Sequence, residues 1–163
     1  MLFTRHDADD ERFMRMAIGA ARMGIENGQT PFGACVVRNG EMIACEHNAV
    51  WQQTDITAHA EIHAIRTACA VLKTIDLSGC VMYSTCEPCP MCFSAIHWAR
   101  IDKICFGASI ADAAHAGFRE LTINNSVMRR KGGSKVEIRP GILRDECRQL
   151  FEEWKRRPER KAY

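Results

Sequence analysis

Along the 163-residue chain the apolar positions recur with two periods, and the switches between them mark the elements. Asp9-Asp10 precedes a helical spacing of Phe13, Met16, Ala17, Ala20 and Met23 that Gly24 ends. Residues 34–38 and 41–46 flank Asn39-Gly40, which suits a type I′ turn, so this stretch predicts a β-hairpin. A polar loop covers 47–57. Residues 58–72 predict a second helix with Ile62, Ile65, Ala68, Cys69 and Leu72 on one face. Residues 80–84 predict a short buried strand. Pro88 and Pro90 open a third helix that runs to about Arg100, because proline fits a first helical turn. A strand over 101–107 and a short helix over 112–117 follow. Residues 119–134 predict irregular chain, including Arg129-Arg130-Lys131-Gly132-Gly133. A fifth strand over 136–139 and a last helix over 143–156 complete the order. It predicts one α/β domain spanning 1–163, a three-layer α/β/α sandwich around a mixed five-stranded sheet.

Composition narrows the class. An apolar content of 47% supplies one core for a chain of this length. No apolar run approaches the roughly 18–20 residues that span a bilayer. Met1 to Glu11 shows no signal-type apolar region, so a cytoplasmic location is expected. Nine cysteines suggest a disulfide scaffold, but the odd count and the chain length oppose it. Cys35, Cys45, Cys69, Cys80 and Cys105 lie in apolar stretches and read as small core residues. The net charge of +2 is uneven: residues 1–128 carry −4 and residues 129–163 carry +6. The basic end suits phosphates, or ion pairs with the acidic remainder.

Cys86, Cys89 and Cys92 need another explanation. His59-Ala60-Glu61 and Pro88-Cys89-Pro90-Met91-Cys92 both fall at predicted helix starts. A Cys-x-x-Cys pair on a first helical turn can aim both sulfurs at one ion, and an imidazole from a second helix start supplies a third ligand. Helix N-termini favour the thiolates. Three protein ligands leave a fourth position for water, as a catalytic zinc requires. Glu61, two residues after His59, is placed to take a proton from that water and pass it on. Other readings fit less well. Cys-x-x-Cys-x-x-Cys hints at an iron–sulfur cluster, which wants a fourth cysteine nearby and a proline after it. A thioredoxin-type pair needs no remote His-x-Glu. His63 sits four residues after His59, but Glu61 is misplaced for His-Glu-x-x-His. His63 reads as a partly buried helix residue, Cys86 as a buried thiol beneath the site, and His47, His97 and His115 as structural or surface residues.

His-x-Glu with Pro-Cys-x-x-Cys resembles the signature of the zinc nucleobase deaminases. The chain is similar to the cytidine deaminase-like zinc deaminases from its first helix to its last, and within them to the guanine and guanosine deaminase branch. That likeness rests on Pro31-Phe32-Gly33-Ala34, Thr57-Ala58-His59-Ala60-Glu61 and Cys86-Glu87-Pro88-Cys89-Pro90-Met91-Cys92. It continues in Ala95-Ile96-His97-Trp98-Ala99-Arg100, Asp112-Ala113-Ala114, Ala116-Gly117-Phe118 and the terminal Tyr163. The resemblance implies one zinc per subunit on His59, Cys89 and Cys92, with Glu61 as proton shuttle. It implies that Asn48 hydrogen-bonds the substrate ring beside Ala60, and that His59, Phe32, Trp98 and Phe118 wall the pocket. Glu120 stands where that branch carries an Asp that helps hold guanine or carry its proton, and Tyr163 corresponds to a terminal tyrosine that covers the site. A homodimer is implied, and the resemblance leaves two placements open for about 141–163: on its own subunit, or on or swapped with the partner.

A second resemblance lies at the C-terminus. Val136-Glu137-Ile138, Gly141-Ile142-Leu143 and Asp145-Glu146-Cys147 are similar to bacterial tRNA adenosine deaminases, which also carry a basic surface. The expected activity is hydrolysis of guanine or a related aminopurine to its oxo form. The alternatives are an adenosine of a tRNA anticodon loop, cytosine or another amino-heterocycle, or a zinc-stabilised scaffold without turnover. No membrane partner is expected.

Overall fold

The turn at Asn39-Gly40 organises the first half of the sheet. In the computed structural model, which describes residues 5–163, both turn residues have positive φ, 52° and 78°. Asn-Gly adopts this type I′ geometry at low cost. It joins β1 (Gly33–Arg38) antiparallel to β2 (Glu41–His47). β1 pairs antiparallel with β3 (Cys80–Cys86) on its other edge. β4 (Lys103–Ala108) and β5 (Glu137–Pro140) continue in parallel, giving the order β2-β1-β3-β4-β5. The mixed five-stranded sheet is the expected one. Parallel neighbours need crossovers. α4 (Pro90–Trp98) links β3 to β4, and α5 (Ile110–Ala116) and α6 (Asn125–Gly132) link β4 to β5. Met1 to Thr4, part of the stretch read for a leader, lie outside the described residues. Among the described residues no helix is long and apolar enough to cross a membrane.

α1 (Arg5–Glu26) and α7 (Arg144–Lys155) share one face of the sheet. The Phe13 ring lies 5.3 Å from that of Tyr83, whose hydroxyl donates to Asp10 at 2.5 Å. Arg139 pairs with the other oxygen of Asp10. Gly33 permits the close approach of α1: a Cβ there would sit 2.1 Å from the Ala17 carbonyl oxygen. Ser84, next along β3, points the opposite way. It meets Glu61 of α3 (Ala60–Leu72), the helix on the second face, and α4 lies beside α3.

Several expectations shift. α1 buries Phe13, Met14, Ala17, Ile18, Ala21 and Ile25, while Met16 and Met23 are exposed. The apolar stripe is therefore set one position over from the one read. Each large buried side chain there contributes about 1.5–3 kcal/mol. Gly24 does not end the helix. It lets His47 approach, whose Cβ would lie 3.0 Å from an added methyl. α3 turns Ala60, Ala64 and Ala68 inward, a four-residue small-side-chain repeat, and its Ile62, Ile65, Cys69 and Leu72 are only partly buried. The 47–57 loop contains a short helix, α2 (Val50–Gln53). The basic run expected in irregular chain is helical in α6, because Asn124 caps the Val127 N–H at 2.9 Å and Gly133 closes the end at φ 65°. Cys35 and Cys45, read as free thiols, form a disulfide: they face each other across the β1–β2 register, Cα atoms 4.0 Å apart.

Candidate active site

Two helix starts face each other at one end of the sheet. His59 is the N-cap of α3 and Cys89 the N-cap of α4, both with extended backbone. An N-cap side chain ordinarily accepts a hydrogen bond from its own helix. Neither does so here. Pro90 begins α4 as its first residue, which puts Cys92 one turn from Cys89 on the same side. His59 Nδ1 lies 3.7 Å from Cys89 Sγ and 3.5 Å from Cys92 Sγ, and the three ligand atoms fall within 4.8 Å of one another.

This donor set fits zinc. A tetrahedral ion with Zn–S of about 2.3 Å and Zn–N of about 2.0 Å holds nitrogen and sulfur donors about 3.5 Å apart. The observed separations need little adjustment. Among themselves the three side chains share protons, which a bound cation displaces. The Cys92 thiol, by its hydrogen bond, and His59 together push Cys89 down to about 4. Cys92 is raised well above its usual value by the same contact with Cys89 and by burial. Burial pulls His59 down, but the Cys89 hydrogen bond and the Glu61 charge outweigh it and leave it raised.

Glu61 is buried on the second residue of α3, and Ser84 Oγ donates to its Oε1 at 3.3 Å. Burial raises its carboxyl above the ordinary range. Cys86 is buried, donates to the Ser109 carbonyl at 3.5 Å, and takes no place among the three ligand atoms. Burial holds its thiol well above its normal value.

A cavity of about 330 Å³ opens beside the ligands, lined by Ile56, His59, Cys89, Met91, Phe118, Glu120, Leu121 and Tyr163 among others. Tyr163 lines it from the same chain, its ring 5.6 Å from His59 and 5.9 Å from Phe118. Trp51 Nε1 donates to the Lys161 carbonyl at 2.9 Å, which ties down the tail. Asn48 is fully buried: its Nδ2 donates to the Tyr163 hydroxyl at 2.7 Å and its Oδ1 accepts the Val50 N–H at 3.0 Å. Glu120 presents a buried Oε2 with no hydrogen-bond partner, and burial, with the Cys89 and Glu61 charges, pushes its carboxyl up to about 8.

Other expected residues stand further back. Phe32 is buried behind Phe118, ring centroids 4.8 Å apart, and Ala60 is fully buried at the first position of α3. Trp98 is not in the pocket. It is 83% exposed at the end of α4, with the His97 ring beside it. The helix turns this residue outward while Cys92, Phe93 and Ile96 face in. In this single chain the segment 141–163 packs on its own sheet, with α7 against β4 and Tyr163 beside the cavity. Sequence reading missed roles for Ser84 and for Glu87, whose buried carboxylate accepts the N–H groups of Ile110 and Asn125. Glu87 sat inside the Cys-Glu-Pro-Cys run, where a charged residue among buried neighbours was the available signal.

A His/Cys/Cys group on facing helix starts with a buried carboxylate beside it defines a three-ligand zinc site of hydrolytic type. Residues 7–108 match the cytidine and deoxycytidylate deaminase zinc-binding region, and the chain belongs to that family. It is 44% identical over 118 residues to guanine deaminase of Bacillus subtilis (strain 168), covering 72% of this chain and 76% of that one. It is 38% identical over 138 residues to the tRNA-specific adenosine deaminase of the same organism, covering 85% and 83%. The solved guanine deaminase from Nitrosomonas europaea superposes with a TM-score of 0.81 at 31% identity, over 88% of this chain and 83% of that one. The chain is a hydrolytic deaminase with a zinc-binding domain.

Proposed function

We propose that this deaminase acts on a free aminopurine base, guanine foremost, and releases the oxo purine and ammonia. The observation that carries this reading is the size of the pocket and the tail that lines it: Tyr163 shares a cavity of about 330 Å³ with His59 and Phe118. That volume is near the lower end for small-molecule pockets and suits one bicyclic ring.

In this reading His59, Cys89 and Cys92 hold zinc, which when bound supplies a Lewis-acid centre that makes a water nucleophilic at neutral pH. Glu61 takes a proton from the attacking water and delivers it to the ring nitrogen beside the amino-bearing carbon. It then moves the second water proton to the departing amine. The carbonyl oxygen comes from water, one water proton stays on the ring, and ammonia carries the other. A buried carboxyl raised above its ordinary range is suited to both transfers. Asn48 has two Nδ2 hydrogens. Tyr163 takes one, and the other is assigned to a ring acceptor of the base. Phe118, with Phe32 behind it, and the His59 ring flank the purine, and Glu120 meets its polar edge. The exposed Trp98 and Leu121 suit contact with a second copy, consistent with a homodimer.

One observation favours a second reading, deamination of an adenosine in a tRNA loop. The last turn of α6 carries Arg129, Arg130 and Lys131 at the surface, a charge run that suits phosphates. It would require the Tyr163 tail to leave the pocket, so that a flipped base could enter.

An ammonia-release panel with zinc-loaded protein tests the proposal, using guanine, guanosine, adenine and cytosine. Guanine is expected to be turned over fastest. Silence on all free bases would overturn the reading.

A further inference from the structure

Glu87 lies between the last residue of β3 and the Pro88-Cys89 step, and its side chain is buried. Its two oxygens serve two different elements. Oε2 accepts the Ile110 N–H at 3.3 Å, and Oε1 accepts the Asn125 N–H at 2.9 Å. Ile110 is the first residue of α5 and Asn125 the first of α6. N–H groups at that position have no partner within their own helix. Asn125 also donates its Nδ2 to the Pro88 carbonyl at 2.6 Å, and the Glu87 N–H donates to the Ala108 carbonyl at 2.8 Å.

Between the two tied helices, residues 118–124 have no regular structure. They carry Phe118, Glu120 and Leu121, one wall of the cavity. The wall leaves the far end of α5, where the Phe118 N–H bonds the Ala113 carbonyl and its ring packs on Phe32 and Trp154, and it ends at Asn125. Glu87, two residues from Cys89, grips the Asn125 end directly and the other end through α5, whose first N–H it holds.

We propose that Glu87 is a positioning residue for deamination: it holds the 118–124 wall at a fixed distance from the Cys89–Cys92 turn and so sets substrate affinity. The proposal rests on the assignment of that wall to the substrate. A carboxylate is the side chain the arrangement needs, because both partners are donors and each oxygen must accept. Glutamine offers one acceptor oxygen and an NH2 that would oppose an N–H. Glu87→Gln therefore leaves one buried N–H unpaired at nearly unchanged volume.

The test compares zinc-loaded wild type with E87Q, E87D and I110P, measuring zinc content, kcat and KM for guanine, and amide exchange over 118–125. Ile110→Pro removes one donor without touching the carboxylate. Proline is tolerated at a first helical position, and Ser109 before it already has the extended backbone proline demands (φ −95°, ψ 166°). Loss of one such buried hydrogen bond is expected to raise KM about tenfold in E87Q, with kcat within about threefold and zinc unchanged. Exchange over 118–125 is expected to quicken by a similar factor. I110P moves both readouts the same way, and E87D, which keeps two acceptors, lies between E87Q and wild type. Unchanged KM and exchange in E87Q, or a fall in zinc or kcat at constant KM, would overturn the proposal. If E87Q does not fold, I110P decides on the same criteria. If wild type does not turn over guanine, the substrate reading has failed, and the exchange measurement alone decides whether Glu87 ties the wall.

Discussion

The hydroxyl of Tyr163 receives the Asn48 Nδ2–H at 2.7 Å, joining the last residue of the chain to a fully buried amide 115 positions earlier. The Asn48 oxygen is held by the Val50 N–H, so the amide is fixed at both ends and its orientation is set before any ligand arrives. Preorganised donors lose less entropy on binding.

Tyr163→Phe removes one of those two restraints and keeps the ring over His59. KM for the base should rise about three- to tenfold with kcat little changed, as befits a lost restraint on a binding group. Steady-state kinetics check this. A lower KM would mean that the hydroxyl competes with the base for the amide.

Glu61→Gln keeps the volume and the Ser84 contact but cannot carry the proton. Zinc content should stay at one per chain while turnover drops about 10²–10⁴-fold, the range for loss of a general acid–base group. Elemental analysis and ammonia release on the same sample are the measurement. Undiminished turnover would remove Glu61 from the chemistry.

Gly33→Ala tests the close approach of α1 to the sheet. Its Cβ would sit 2.1 Å from the Ala17 oxygen and 2.7 Å from the Ala21 nitrogen, both backbone atoms. Overpacking of this kind costs about 1–3 kcal/mol or more. A Tm loss of roughly 3–10 °C is expected by thermal unfolding. An unchanged Tm would show that α1 can move aside.

Acid should loosen the α5–α7 contact through Asp112. This carboxylate closes a capping box with Ser109 and pairs with Arg144 and Arg148. Burial pushes it up, but the Ser109 hydrogen bonds and Arg144 more than offset this and hold it below the ordinary value. A lower pKa in the folded chain contributes stability above the unfolded value, about 3.9, and that stability is lost as pH falls through the folded one. Wild type should therefore exceed Asp112→Asn in Tm at about pH 7, and the gap should narrow near about pH 3.5. A gap independent of pH would exclude the ionised carboxylate as its source.

Local chemistry was legible in the sequence wherever it depended on near neighbours. Asn39-Gly40 reveals the hairpin because the turn needs two positive φ values, and Pro90 reveals the start of α4. His59 and the two cysteines could be grouped because each lies at a helix start. What depends on tertiary contact was hidden. α6 has no apolar stripe to betray it, since a basic run is held in place by Asn124 and by the grip of Glu87 on Asn125. Trp98 looked like a pocket wall by motif, yet the phase of α4 turns it outward. The Cys35–Cys45 pair becomes visible only with the β1–β2 register. The α1 stripe was displaced by one position because methionines at 16 and 23 look apolar but face solvent.

The most direct measurement is the ratio of kcat/KM for guanine to that for a tRNA anticodon stem-loop, on one zinc-loaded preparation. With Tyr163 lining a cavity sized for a single bicyclic ring, the ratio should exceed about 100, since each tenfold step needs only about 1.4 kcal/mol of discrimination. A ratio below one would show that the tail yields to RNA and that the small-base reading is wrong.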